Sequence, residues 1–302
     1  MILFVFHDGV GVGAADPGSN PFLEANIPAW RELANGGWLT LEAPSARRSA
    51  HGSVLGADAT LGVPGEPQSG TGTTALLTGV NAPAMVGHHA GPYPPRSLRP
   101  LLREQNLLTR VREEGLHIAY ANAYPPFYLE RLERGKARRT TCTQAALAAG
   151  LTLRGYEELV TGQALSSWIT NEHWIRLVPG VPPISPFQAG QNLARLALEH
   201  DVTLFEYFHT DHRGHRPNMA KAHATLNRLD RFLAGIIDTL DPMRHLLLLA
   251  ADHGNFEAQD HSDHTRNPAL ITVWGHHHTE TAERIHAITD VVPALLGWLE
   301  TK

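Results

Sequence analysis

The apolar positions of this chain fall into short runs separated by helical stripes. Runs at residues 2–6, 116–121, 202–208 and 269–274, with a fifth beginning at Leu246, are each bounded by turn or polar signals. Each is too short to cross a membrane and right for a buried strand. Between them, Leu98, Leu101, Leu102, Leu107, Leu108 and Val111 predict a helix over 98–114. A second stripe, Leu226, Leu229, Phe232, Leu233, Ile236, Ile237 and Leu240, lies on one helical face. Residues 28–35, 188–200 and 287–299 read as further helices, 38–43 as an edge strand, and 44–65 as mixed and loop-like. The alternation of strands and helices predicts an α/β fold with a mostly parallel central sheet flanked by helices. No internal repeat is present.

The middle of the chain breaks this rhythm. Residues 127–185 are rich in Arg and Thr with only short helical patterns, and prolines bound the stretch at Pro125, Pro126, Pro179, Pro182, Pro183 and Pro186. The expectation is a small inserted cap, with residues 1–126 and 186–302 forming the core. Arg131, Arg134, Lys136, Arg138 and Arg139 make the segment locally basic, a solvated helix face or a surface that receives an anionic substrate.

Composition narrows the class. With 302 residues and 42% hydrophobic content, the chain can bury a sizeable core. A net charge of -5 with no long basic run argues against a nucleic-acid surface. Cys142 is the only cysteine, so no intramolecular disulfide forms, which suits a reducing compartment. The start, MILFVFHDG, lacks a basic leader and reads as a first strand rather than a signal peptide, so a soluble cytoplasmic protein is expected. Oligomeric state is not readable from the sequence.

The candidate chemistry is concentrated in LLLLAADHGNFEAQDHSDHTRNP, residues 246–268. Asp252 and His253 directly follow a hydrophobic strand, and a polar loop with Glu257, Asp260, His261, Asp263 and His264 comes next. Mixed carboxylate and imidazole donors suit a divalent ion such as Mn2+ or Zn2+. Two other acidic residues also follow apolar strands: Asp8, and Asp211 with His215 four residues later. A single Asp in this position is usually a turn former or cap. A parallel sheet, however, gathers residues beyond its strand ends at one edge, and two ions about 3.5–4 Å apart need about this many ligands. A small-residue loop around Ser69 leads into a predicted helix, whose start favours an anion through free amides and the helix dipole. Read locally, that stretch is no more than a capped helix, and its glycines match neither a Walker nor a dinucleotide fingerprint.

ADHGN at 251–255, HTRNP at 264–268, DxxGH at 211–215 and the strand–Asp8–Gly9 start resemble the cofactor-independent phosphoglycerate mutases, in the same order. The wider alkaline phosphatase superfamily carries a nucleophile followed by Thr-Gly nine and ten residues on, which Ser69, Thr78 and Gly79 match. The resemblance covers about 1–90 and 200–275. It implies an alkaline phosphatase-like fold and two divalent ions, Mn2+ favoured over Zn2+. One ion would be held by Asp211, His215 and His264, and the other by Asp8, Asp252 and His253 with Ser69. Ser69 would be the nucleophile and form a phosphoserine on a small phosphorylated substrate. Glu257, Asp260, His261 and Asp263 would orient the ligands; His88, His89 and Asn122 fall where a substrate loop could lie, but each also reads as structural. The mutases have a much longer inserted domain than residues 127–185 provide, which favours hydrolysis of a small phosphate ester. A phosphomutase and a phosphodiesterase are the enzyme alternatives, and a metal-binding module without catalysis is the non-enzyme one.

Overall fold

The computed structural model of the chain describes residues 1–301. Seven strands form one sheet: β1 (Ile2–His7), β2 (Arg47–Arg48), β3 (Gly52–Ala57), β4 (Ile118–Tyr120), β5 (Val202–Tyr207), β6 (Leu246–Ala250) and β7 (Ala269–Gly275), in the order β2-β3-β7-β6-β1-β5-β4. The block β6-β1-β5-β4 is parallel, whereas β7 joins β6, β3 joins β7 and β2 joins β3 antiparallel. Every residue of β1, β5, β6 and β7 is buried. Burial on both faces explains why these strands read as continuous apolar runs rather than alternating ones. The long amphipathic stripe forms the helix Met219–Thr239, capped by Asn218, whose side chain accepts from the Lys221 amide at 3.0 Å. That helix packs against the helix Pro186–Leu198.

The predicted α/β class and largely parallel sheet are both observed, and three details differ. Residues 38–43 form no strand: Thr40 and Ala43 close a turn on each other, and Trp38 is buried because its ring stacks on Phe22 at 4.9 Å. The missing strand is β3, inside the stretch expected to be a loop. Gly52 and Gly56 hide its pattern, and its stability comes from full pairing with β7. The helix expected over 98–114 is broken into Arg99–Gln105 and Leu107–Glu113 at buried Asn106, whose side chain caps the second piece through the Thr109 amide at 3.1 Å.

Residues 127–185 divide between two apolar clusters. The helix Thr141–Ala148 buries Cys142, Ala145 and Ala146 in the main core and packs against the helix Ser69–Thr78. Ala123, Leu159, Ala164, Trp174 and Val181 form a smaller cluster beside it. Among the described residues, no helix is long and apolar enough to cross a membrane.

Candidate metal centre

The strands β6, β1 and β5 are neighbours and run parallel, so the residues just past their carboxyl ends meet at one edge. Asp8 follows β1, Asp211 lies in the short helix His209–Gly214 after β5, and Asp252 with His253 follows β6. The helix Ser69–Thr78 starts at the same place. Ser69 Oγ lies 2.9 Å from His253 Nε2 and donates to Asp8 Oδ1 at 3.4 Å. Two groups of ligating atoms emerge, Asp8 with Asp252 and His253, and Asp211 with His253 and His264, each within 4.8 Å. His253 is common to both, which the sequence did not indicate. His215 stands at the solvent side, 45% exposed, with Nε2 3.4 Å from Asp211 Oδ2 and 3.2 Å from His264 Nε2.

The imidazoles are oriented by backbone carbonyls. Nδ1 of His264 lies 2.7 Å from Pro67 O, that of His215 lies 2.8 Å from Ser262 O, and that of His253 lies 3.2 Å from Gly254 O. A nitrogen facing a carbonyl carries a proton, so in each ring Nε2 is the atom turned into the cluster, and it can hold an ion once any proton on it has left. The lone pairs of His215 and His264, 3.2 Å apart, repel unless a cation sits with them. Carboxylate ligands are held in the same way: Thr73 Oγ1 donates to Asp252 Oδ2 at 2.6 Å, and Asn255 Nδ2 donates to Asp211 Oδ1 at 2.8 Å. This donor set, with its ligands locked from behind, fits a divalent transition ion.

Electrostatics point the same way. Burial and the charges of Asp252 and Asp211 hold the Asp8 carboxyl well above the ordinary carboxylate range. Burial alone would lower His253, but Asp252, Asp8 and Asp211 raise it to about 10. For Asp211, burial is outweighed by His264, His253 and Asn255, which hold it below its ordinary value. Three carboxylates crowded into a buried corner need positive charge, and without an ion the His253 imidazolium supplies it.

Several residues singled out from the sequence serve other ends. Glu257 is a buried staple whose carboxylate accepts from the Gly11 and Asn255 amides at 2.8 Å, from Thr265 Oγ1 at 2.5 Å and from Asn267 Nδ2 at 2.9 Å. Asp260, His261 and Asp263 are exposed around a 460 Å³ groove that His264 also lines. His88 is exposed, and His89 faces the Val63 carbonyl at 3.3 Å. Asn122 spends its amide on the backbone of Glu206, donating to its carbonyl and accepting from its N–H, both at 2.8 Å. Sequence reading missed Thr73 and Asn255, whose partners are distant in the chain.

Gly9 is required by geometry. Its φ is +67°, and an added Cβ would stand 2.8 Å from Asp211 Oδ1. Left-handed backbone costs a non-glycine residue about 1–2 kcal/mol. Gly9→Ala is therefore expected to lower stability by at least about 1 kcal/mol and to weaken metal binding by displacing Asp211. Urea unfolding with chelator present and a metal titration test this; an unchanged midpoint together with unchanged affinity contradicts it.

A cavity of 230 Å³ opens over Ser69, lined also by Asp8, Thr73, Asp211 and Glu206. Glu206 is buried and accepts from Tyr120 OH at 2.7 Å and Thr140 Oγ1 at 2.8 Å. Burial raises its carboxyl from an ordinary 4.5 to about 7, against the pull of those hydrogen bonds. The folded state thus holds a proton that the unfolded chain has released. Stability from this group falls as pH climbs from 4.5 to 7 and levels off above, by up to about 3 kcal/mol. Glu206→Gln removes that slope. In metal-free protein, the stability of the variant relative to wild type should rise between pH 4 and pH 8, and parallel curves would refute the assignment.

The fold and the cluster together define an α/β chain with a candidate two-ion centre at the carboxyl edge of its sheet. The chain belongs to the Metalloenzyme superfamily, whose family model matches residues 1–296. It is 25% identical over 130 residues to a 2,3-bisphosphoglycerate-independent phosphoglycerate mutase of Methylobacillus flagellatus, covering 40% of this chain and 25% of that protein. A Thiobacillus denitrificans protein of the same name is 28% identical over 124 residues, 38% of this chain and 24% of the other. The matches thus span about a quarter of the length of these relatives. Among solved structures, the PH0037 protein from Pyrococcus horikoshii superposes with a TM-score of 0.60 at 12% identity, over 100% of this chain and 97% of that one. Alkaline phosphatase from the Antarctic bacterium TAB5 gives a TM-score of 0.53 at 9% identity, over 98% and 97%. The fold is alkaline phosphatase-like.

Proposed function

We propose that this chain is a two-metal phosphoryl-transfer enzyme that works through Ser69 and hydrolyses a small phosphate ester. The observation that carries the reading is the junction at the sheet edge: a serine hydroxyl at a helix start, 2.9 Å from His253 Nε2, inside a cluster of carboxylates and carbonyl-anchored imidazoles. Asp211, His215 and His264 would hold one ion, and Asp8, Asp252 and His253 with Ser69 the other, Mn2+ being favoured over Zn2+. Bound ions supply Lewis-acid charge that acidifies the serine hydroxyl and a water molecule and neutralises the phosphoryl oxygens.

The residues of the chain supply position. Ser69 presents Oγ at the positive end of its helix, where a phosphate is favoured. Thr73 and Asn255 fix the carboxylates of Asp252 and Asp211, so little reorganisation accompanies the reaction. The deprotonated Ser69 oxygen bonds to phosphorus while the ester oxygen leaves as an alcohol, having taken a proton from solvent. Water then attacks the phosphoserine, the serine–phosphorus bond breaks, and inorganic phosphate departs.

A phosphomutase is the second reading, favoured by the names of the curated relatives. The test is a screen of phosphate mono- and diesters on metal-stripped protein reloaded with Mn2+ or Zn2+. Metal-dependent release of inorganic phosphate supports hydrolysis. An isomerised ester from phosphoglycerates or pentose phosphates supports the mutase, and no turnover with either ion contradicts both.

A further inference from the structure

We propose that a pocket next to Ser69 selects the organic part of the substrate, and that it accepts a planar ring bearing a second anionic group. The inference rests on the phosphoryl-transfer reading of Ser69 and adds the class of ester to it. The 230 Å³ cavity over Ser69 continues into a pocket of 520 Å³, because Tyr93, Thr140, Glu206 and Phe208 line both. An ester with its phosphate at Ser69 therefore extends its alcohol portion into the outer pocket. That volume lies within the range of small-molecule sites and exceeds what a short aliphatic group fills.

The walls favour a ring. Tyr128 is stacked on Tyr124 at 4.7 Å and 23°, and Trp168 on His173 at 5.0 Å and 15°, so two aromatic rings are held before a ligand arrives. Phe127, 54% exposed, and Leu177, 46% exposed, also line the pocket, leaving apolar surface that a ring would cover. The hydrogen-bonding capacity needed for a polyol is spent internally: Asn122 is committed to the Glu206 backbone, and the Glu206 carboxyl accepts from Tyr120 and Thr140.

The pocket also carries positive charge. Arg131, Lys136 and Arg138 line the pocket and are exposed, and among the described residues none forms an ion pair with a carboxylate. The Arg138 guanidinium lies 5.7 Å from the centre of the Tyr93 ring, at the passage between the two cavities. A net charge of -5 spread over the chain makes this cationic group a local exception. It suits a second anionic substituent carried by the ring.

The test uses ethyl, benzyl and 4-carboxybenzyl phosphate, whose alcohol leaving groups are of similar reactivity, on the metal-loaded full chain. Wild type should show kcat/KM rising roughly 3- to 10-fold from ethyl to benzyl through ring contacts. The carboxylate should add about 2- to 5-fold more, as expected for an exposed charge pair. Phe127→Ala should shrink the benzyl-to-ethyl ratio, and the double variant Arg131→Gln/Arg138→Gln should bring the carboxybenzyl-to-benzyl ratio to near one. Equal kcat/KM for the three esters, or variants that slow all three equally, overturns the proposal. If no ester is turned over, the catalytic reading fails, and calorimetry with 4-carboxybenzylphosphonate and ethylphosphonate still decides the pocket. Tighter binding of the first that is lost in the double variant upholds it; equal or absent binding overturns it.

Discussion

Ser69→Ala is expected to abolish metal-dependent phosphate release, lowering kcat/KM by about 10³-fold or more, as loss of a covalent nucleophile does. Among the described residues, the Ser69 hydroxyl is the one serine or threonine oxygen within hydrogen-bonding distance of both His253 and Asp8. The side chain is small and partly exposed at the first turn of a helix whose remaining residues are buried, so alanine should leave the fold intact. Circular dichroism and bound-ion content checked alongside turnover separate chemistry from collapse. Ions should remain at near wild-type occupancy, because the carboxylates and imidazoles are still present. A variant that retains phosphate release while still loaded with metal would remove Ser69 from the mechanism.

The second large effect concerns His215. Its ring is the most exposed of the proposed ligands, so removing it disturbs packing least. It faces Asp211 and His264 and has no contact with Asp8 or Asp252 among its bonded partners. His215→Ala should therefore lose one ion and keep the other, taking elemental analysis from two ions per chain towards one. Replacing residues that merely orient a metal ligand costs about 10- to 100-fold in affinity or activity, and losing a direct ligand should cost at least as much. Retention of two ions would contradict the division of ligands. Loss of both would show that the shared position of His253 couples the two groups into one site.

The parts of the site that could be read from the sequence share a local cause. Asp8, Asp211 and Asp252 each lie within four residues of the end of an apolar strand, and a parallel sheet brings such positions to one edge. Ser69 is ambiguous locally, as small residues before a helix are common, and only the resemblance to the alkaline phosphatase superfamily, through Thr78 and Gly79, selects it. Thr73 and Asn255 carried no local signal because their roles are fixed by partners 179 and 44 residues away. Glu257 was expected to orient the ligands, and four donors make its carboxylate a staple for the loop that carries them.

The same distinction runs through the fold. The buried strands β1, β5 and β6 were visible as apolar runs. The strand β3 was not, since two glycines leave it little β-propensity and its order comes from pairing with β7. Trp38 and Leu39 show the reverse case, an apolar pair that suggested a strand but is buried by aromatic packing in a turn region. The break at Asn106 could have been found in principle, because a cap residue four positions before Arg110 interrupts the leucine stripe.

Trapping the covalent intermediate tests the central claim most directly. Metal-loaded protein is mixed with a turned-over phosphate ester, quenched in acid within the first turnovers, digested and analysed by mass spectrometry. One added phosphoryl group is expected on the peptide containing Ser69, located on Ser69, absent without metal and absent in Ser69→Ala. Phosphate release at full rate with no modified peptide, or with the phosphoryl group on another residue, would contradict it.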